Sequence, residues 1–302
     1  MKFYFYVRLC AAGLALLLFV NCSESTNTTE ESEGFVPGEQ IMRSFEARYP
    51  QATGVVWSVE EGYYVADFTL NSQTASAWFA SNGELSLGKI PASYSEQVEP
   101  VVSGALASTA YAKWVVKGAY VLDRRLLTPV YGVNMTNNHI SSNLYFTQNG
   151  DFIKVIDDVH HRTDVPVVIP SALIRAIDNL FTGIEIVDVS VIDAVNSEIS
   201  VGILREETYL TAIFNKNYVW IVNFWNLTPE TVPQNVWNGF KASPYADLQL
   251  SRIRSMQNAT TTTYLFYLIR NNKTMIAEFN SDGRLTTIIS REHVMAKYLL
   301  TI

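Results

Sequence analysis

The chain has 302 residues, enough for one large domain or two ordinary ones, and 48% of them are apolar, enough to build real cores. The formal charge is −7 at pH 7; taking Lys2 and Arg8 away with an N-terminal leader leaves 20 basic against 29 acidic residues, a balance of −9. This spread-out negative charge argues against nucleic acid and against an anionic membrane surface as partners.

Residues 1–22 read as an export signal. Lys2 and Arg8 flank a short n-region, and Leu9 to Val20 is almost entirely apolar. That run is too short for a span of roughly 20 residues. Phe19-Val20-Asn21-Cys22 resembles the lipobox of bacterial lipoproteins, with Asn21 and Phe19 as departures from the usual pattern. The resemblance implies acylation of Cys22, which then becomes the mature N-terminus. The only other cysteine, Cys10, lies in the same leader. A disulfide framework, a Cys-ligated zinc and a cysteine nucleophile are therefore excluded from the folded part. Residues 23–35 are Ser-, Thr- and Glu-rich and read as a flexible acidic tether. The expected location is exported, at the outer membrane, on its periplasmic or its outer side, with contact to the membrane through the lipid alone.

From there the chain repeats. Phe79-Ala80-Ser81-Asn82-Gly83 returns at Phe146, Phe214 and Phe279, each time as an aromatic strand end running into a polar turn. Asn-Gly or Asp-Gly follows in three of the four, a hairpin signal; the third has Asn217-Tyr218. Upstream of each Phe stands a Val/Ile-Pro pair at 36–37, 90–91, 169–170 or 232–233, expected to open a helix. Helical apolar spacing follows: Ile41, Met42, Phe45, Tyr49; Val98, Val101, Val102, Ala105, Leu106; Leu173, Ile174, Ile177, Phe181; and Val236, Trp237, Phe240. Strand patterns follow each helix. The expected class is α+β: four units of one helix plus a four-stranded antiparallel meander. Pairing units edge to edge gives two domains, 36–162 and 163–302, with a continuous four-unit arch as the alternative.

Alternation along the third strand of each unit puts Ala77, Leu144, Ala212 and Ala277 on the face of the Phe, under the helix. Trp78, Tyr145, Ile213 and Glu278 then point to the opposite face, for which one helix per unit supplies no cover. Tyr63 falls on that face too. Tyr63, Trp78 and Tyr145 are thus the candidate partner-binding residues, with cover of that face by neighbouring units or a loop as the alternative.

The first unit carries a resemblance. Phe45, Tyr49-Pro50, Trp57, Phe68, Phe79 and Gly83 look like the PepSY-like family of bacterial exported proteins, also described as resembling the β-lactamase inhibitor protein. The likeness covers roughly residues 36–90 and fades in later units. It implies tandem helix-plus-four-strand units whose sheets form a concave surface, in two such domains.

Signs of catalysis are scarce. His160 and His161 stand in the run Asp157 to Asp164, the one crowd of metal-ligand types, which also reads as a polar interdomain linker. There is no Gly-rich phosphate loop, nucleophile elbow or helical zinc pair. Arg124-Arg125 is too small a basic spot for nucleic acid. The expected function is that of a non-enzymatic, cofactor-free, lipid-anchored envelope protein. It binds an envelope or extracellular protein or peptide on the open aromatic face, with enzyme inhibition one form of such binding. The alternatives are a structural or envelope-assembly lipoprotein without a ligand and, further off, a metal-dependent enzyme.

Overall fold

The protein is described by a computed structural model over residues 35–157, 165–193, 197–271 and 273–290. The leader with Cys22, most of the tether, His160, His161 and His293 lie outside the described residues. Helix α1 (Glu39–Arg48) is followed by β1 (Thr53–Glu60), β2 (Tyr63–Leu70), β3 (Gln73–Phe79) and β4 (Leu85–Ala92). A single π-helical turn, Tyr94–Val98, runs into α2 (Glu99–Ala107). Strands β5 (Val115–Arg124), β6 (Val130–Asn137), β7 (Ile140–Phe146) and β8 (Phe152–Asp157) come next. Helix α3 (Ser171–Leu180) precedes β9 (Ile184–Asp193), β10 (Glu198–Arg205), β11 (Thr208–Phe214) and β12 (Trp220–Leu227). Helix α4 (Gln234–Lys241) precedes β13 (Gln249–Gln257), β14 (Thr262–Arg270), β15 (Lys273–Asn280) and β16 (Leu285–Ser290).

The strands form two antiparallel eight-stranded sheets, β1 to β8 and β9 to β16, each in strict chain order. Within each, the fourth and fifth strands join edge to edge, Leu87 opposite Arg124 in one and Trp225 opposite Ser255 in the other. No edge is left exposed at either junction.

Each helix lies on one face of its sheet through residues one turn apart: Ile41 and Phe45, Val102 and Leu106, Leu173 and Ile177, Val236 and Phe240. Two of the four start directly after proline and a third one residue later. Pro37 precedes the N-cap Gly38, and Pro170 and Pro233 are themselves N-caps with ψ of 136° and 134°. The second does not. Ile90 and Pro91 belong to β4, and α2 starts further on, with Pro100 in its first turn. Residue pairing explains this. β3 accompanies β4 only as far as Lys89, so the last residues of β4 pair on one side alone, with β5. A strand position without a second neighbour tolerates the missing N–H of Pro91.

The four Phe turns share one geometry. The Ala80 N–H donates to the Glu84 carbonyl and the Gly83 N–H to that of Ala80; Thr147–Asp151, Asn215–Val219 and Asn280–Arg284 repeat the pattern. The register shifts by one residue beside each Phe, and the turn residue before the next strand has positive φ: Gly83, Gly150, Tyr218 and Gly283. This is a three-residue hairpin with a bulge, which turns the Phe ring inward. All four rings are at most 1% exposed.

The turns also press on the helices. A Cβ on Gly239, inside α4, would stand 1.9 Å from the Gly283 carbonyl oxygen, whereas one on Gly104, inside α2, would meet nothing within 4 Å. Helix propensity alone favours alanine at both by roughly 0.5–1 kcal/mol. Gly104→Ala is therefore expected to stabilise by about that amount, and Gly239→Ala to destabilise by roughly 1–3 kcal/mol from overpacking. Urea unfolding of the two variants beside wild type reads the opposite signs directly.

Candidate functional site: a polar cleft between the two sheets

Trp78 and Tyr145 do point away from the helices, but the face they occupy is not open. Both are 2% exposed. They share a core with Val65, Leu87, Tyr120 and Leu122 of their own sheet and with Val187, Leu204 and Tyr209 of the other. Tyr63 is half-buried against the same cluster. The expectation of an aromatic binding face at Tyr63, Trp78 and Tyr145 is corrected accordingly. The alternative, cover of that face by neighbouring units, is the arrangement found. Two sheets with apolar helix-free faces bury them against one another. Ile213, next in the series, is buried in the helix-free face of the second sheet, and Glu278 is half-buried, its carboxyl raised above the ordinary range by that burial.

Small residues make room for the rings. A Cβ on Gly132 would fall 2.2 Å from the Tyr120 ring, and one on Gly202 would fall 3.1 Å from the Tyr209 hydroxyl. The hydroxyls of Tyr120 and Tyr145 are 3.4 Å apart.

Within this apolar layer sits one ion network. Arg124, at the end of β5, donates from Nη1 to Asp188 Oδ1 on β9 at 2.9 Å and from Nη2 to the Val187 carbonyl. Lys154 of β8 reaches both Asp188 oxygens, at 3.0 and 3.1 Å, and the Ser190 hydroxyl. Arg124 and Asp188 are each 5% exposed. Burial alone would raise the Asp188 carboxyl, but the charges of Lys154 and Arg124 outweigh it and hold the group below the usual carboxylate range. Next to it, the Thr128 N–H donates to the Ile186 carbonyl at 2.8 Å, and Leu127 enters the core under α3. The link between β5 and β6 thus covers the edge of β9. The sequence reading of Arg124-Arg125 as a small basic spot missed this. Arg125 is a surface residue paired with Glu84 at 3.1 Å. Arg124 follows Leu122 on the helix-free face, and that alternation was the available signal.

Beside the network opens a cleft of about 540 Å³, within the size range of small-molecule sites. Residues of α2 and the β7–β8 turn form one wall, among them Ala105, Ser108, Thr109 and Asp151. Residues of β11, β12 and β13 form the other, with Tyr209, Thr211, Phe224, Ser251, Arg252 and Arg254. Arg252 and Arg254 lie two apart on β13 and share a face. The Arg254 guanidinium lies 4.8 Å from the Phe224 ring centre and that of Arg252 5.7 Å from the Tyr267 ring centre. Burial, and then the charge of Arg254, lower the Arg252 pKa. Burial pushes the Tyr209 phenol far above its ordinary value; Thr211 and Arg254 pull the other way. Asp151 takes a hydrogen bond from the Thr147 hydroxyl at 3.1 Å, yet burial still raises its carboxyl.

A second hollow, about 700 Å³, lies at the end of β4 and β5 and carries one cation, Lys117, and one carboxylate, Glu96. It lacks the paired charges of the first. Among the described residues no three metal-ligand types gather, and no helix is long and apolar enough to cross a membrane. His139 is exposed in the β6–β7 turn.

No protein-family model matches the sequence, and no curated protein matches it. Several solved structures do. A BLIP-like protein from Bacteroides fragilis NCTC 9343 is 24% identical, with a TM-score of 0.39, over 45% of this chain and 97% of its own. A DUF2874 family protein from Bacteroides uniformis ATCC 8492 is 23% identical, with a TM-score of 0.38, over 42% of this chain and 94% of its own. Another from Bacteroides ovatus ATCC 8483 is 28% identical, with a TM-score of 0.36, over 41% and 89%.

Proposed function

We propose that this is an exported cell-envelope protein, tethered through a lipid on Cys22, that acts by holding a ligand in the cleft between its two sheets. In this reading the chain is built from tandem helix-plus-four-strand units of the PepSY-like kind and has no catalytic role. The observation that carries it is the burial of Trp78 and Tyr145, which closes the sheet face and leaves the polar cleft as the better-furnished concavity. Binding of a protein or peptide on the aromatic face loses its support, and inhibition of an enzyme through that face loses it too.

A structural or envelope-assembly role is the second reading. The closed core and its buried ion network favour it, because both make a rigid spacer body. Native mass spectrometry of protein purified from its own envelope separates the two. The ligand reading expects a bound small molecule on wild type that is lost in Ser108→Trp, where an exposed residue at the cleft wall becomes bulky. Bare protein in both preparations would leave the spacer reading in place.

A further inference from the structure

We infer that residues 291–302, which follow β16, dock as an amphipathic helix across the helix-free face of the second sheet and close it. The inference stands apart from the ligand reading, because the part of the face it concerns lies beyond the cleft.

The face comes first. Register lines up its apolar side chains from strand to strand: Ile289 beside Ile276, Ile276 beside Tyr267, Met256 beside Phe224 and Val222 beside Ile213. With Leu265 they form one cluster, in which every described side chain belongs to the second sheet. Yet Leu265, Tyr267 and Ile276 are only 2%, 3% and 2% exposed. A sheet face is shielded from water by what stacks on it, about 10 Å away. The first sheet does not extend that far. Its shared core stops at Tyr209 on β11, and the cleft lining stops at β13. Helix α4 occupies the opposite face, where Val236 and Phe240 pack with Phe266 and Phe279.

The occupant comes second. Outside the described residues, 23–34 hold no apolar side chain, 158–164 and 194–196 are short and mostly polar, and 1–22 read as the leader. Residues 291–302 differ. They start at the edge of this face, next to β16, whose Ile289 already belongs to the cluster. Val294, Met295, Tyr298, Leu299 and Ile302 recur at helical spacing, while His293, Lys297 and Thr301 fall on the other side. No Gly or Pro interrupts them. Length decides between helix and strand. As a helix the segment runs about 18 Å. That matches the four strand spacings from β16 to β12, about 19 Å. Extended, it would run about 40 Å and overshoot the cluster.

The test is thiol reactivity in the full mature chain carrying Cys22→Ser, which leaves no native thiol. Four variants each add one cysteine: Met295→Cys, Lys297→Cys, Leu299→Cys and Leu300→Cys. A docked helix expects iodoacetamide to modify Met295→Cys and Leu299→Cys about tenfold or more slowly than Lys297→Cys and Leu300→Cys. Equal rates in all four overturn the inference. So does the strand pattern, slow in Leu300→Cys and fast in Met295→Cys. Protection that rises with protein concentration assigns the cover to a second copy of the chain and overturns it too. The place of docking is read by Met256→Glu, which sets a charge on the half-buried face. It should speed modification of Leu299→Cys about tenfold, and Ile289→Glu serves where Met256→Glu does not fold. Unchanged protection in the folded variant would put the segment elsewhere and refute the docking.

Discussion

Asp188→Asn is expected to destabilise the protein by about 3–5 kcal/mol, the usual cost of breaking a buried ion pair from one side. The carboxylate answers two cations, Arg124 at 2.9 Å and Lys154 at 3.0 Å. Asparagine would leave Arg124 almost fully buried without a counter-charge. Lys154, with a side chain 26% exposed, still has water nearby and contributes less to the loss. Arg124→Met/Asp188→Leu removes both charges together and is expected to recover most of the stability, since paired burial is close to neutral against an apolar substitute. Urea unfolding of the wild type, the single variant and the double variant measures the cycle. A single variant within 1 kcal/mol of wild type would show that the network does not join the sheets.

The same residue sets an acid limit. Lys154, Arg124, the Ser190 hydroxyl and Tyr209 face Asp188, and the two cations lower its pKa in the folded state. A lowered carboxylate contributes stability above its unfolded value, near 3.9, and that contribution fades as pH falls from there through the folded value. Wild type should therefore lose stability below about pH 4 with a component that Asp188→Asn lacks.

How much of this was legible in the sequence differs by level. Local features read well, because the signals are local: helical spacing picks out Ile41 and Phe45 or Val236 and Phe240, and alternation separates Phe79 from Trp78. Pro91 misled, because whether a proline opens a helix or ends a strand depends on a neighbouring strand's length. Trp78 and Tyr145 misled for a larger reason. Alternation says which way a side chain points, and it is silent on what lies opposite. The cover comes from Val187, Leu204 and Tyr209, more than 40 residues later in the chain and in another sheet. Arg252 and Arg254 follow a register shift between Leu250 and Arg252 that puts Leu250 and Ile253 together in the core under α4, so simple alternation does not sort this stretch, and their ring contacts to Tyr267 and Phe224 come from the flanking strands β14 and β12.

Gly150→Ala is the second large effect, at about 2–5 kcal/mol. Two penalties combine at this position. Its φ is +94°, a backbone region that a side chain makes costly by roughly 1–2 kcal/mol. A Cβ there would also stand 2.0 Å from the Val101 carbonyl oxygen of α2, a contact that only movement of the helix or the turn can relieve. Overpacking of that kind costs a further 1–3 kcal/mol or so. Gly83→Ala is the matched comparison. Its φ is +77°, so the backbone penalty is similar, but the nearest atom to its Cβ is the Ser44 hydroxyl at 3.0 Å, on a side chain that can turn away. Gly83→Ala should therefore cost nearer 1–2 kcal/mol. Chemical denaturation of the two variants tests the difference. Equal losses would mean that only the hairpin geometry requires glycine after each Phe. A larger loss at Gly150 means that the turn is also the seat on which α2 rests, since the contact that its Cβ would break is with the Val101 carbonyl of that helix.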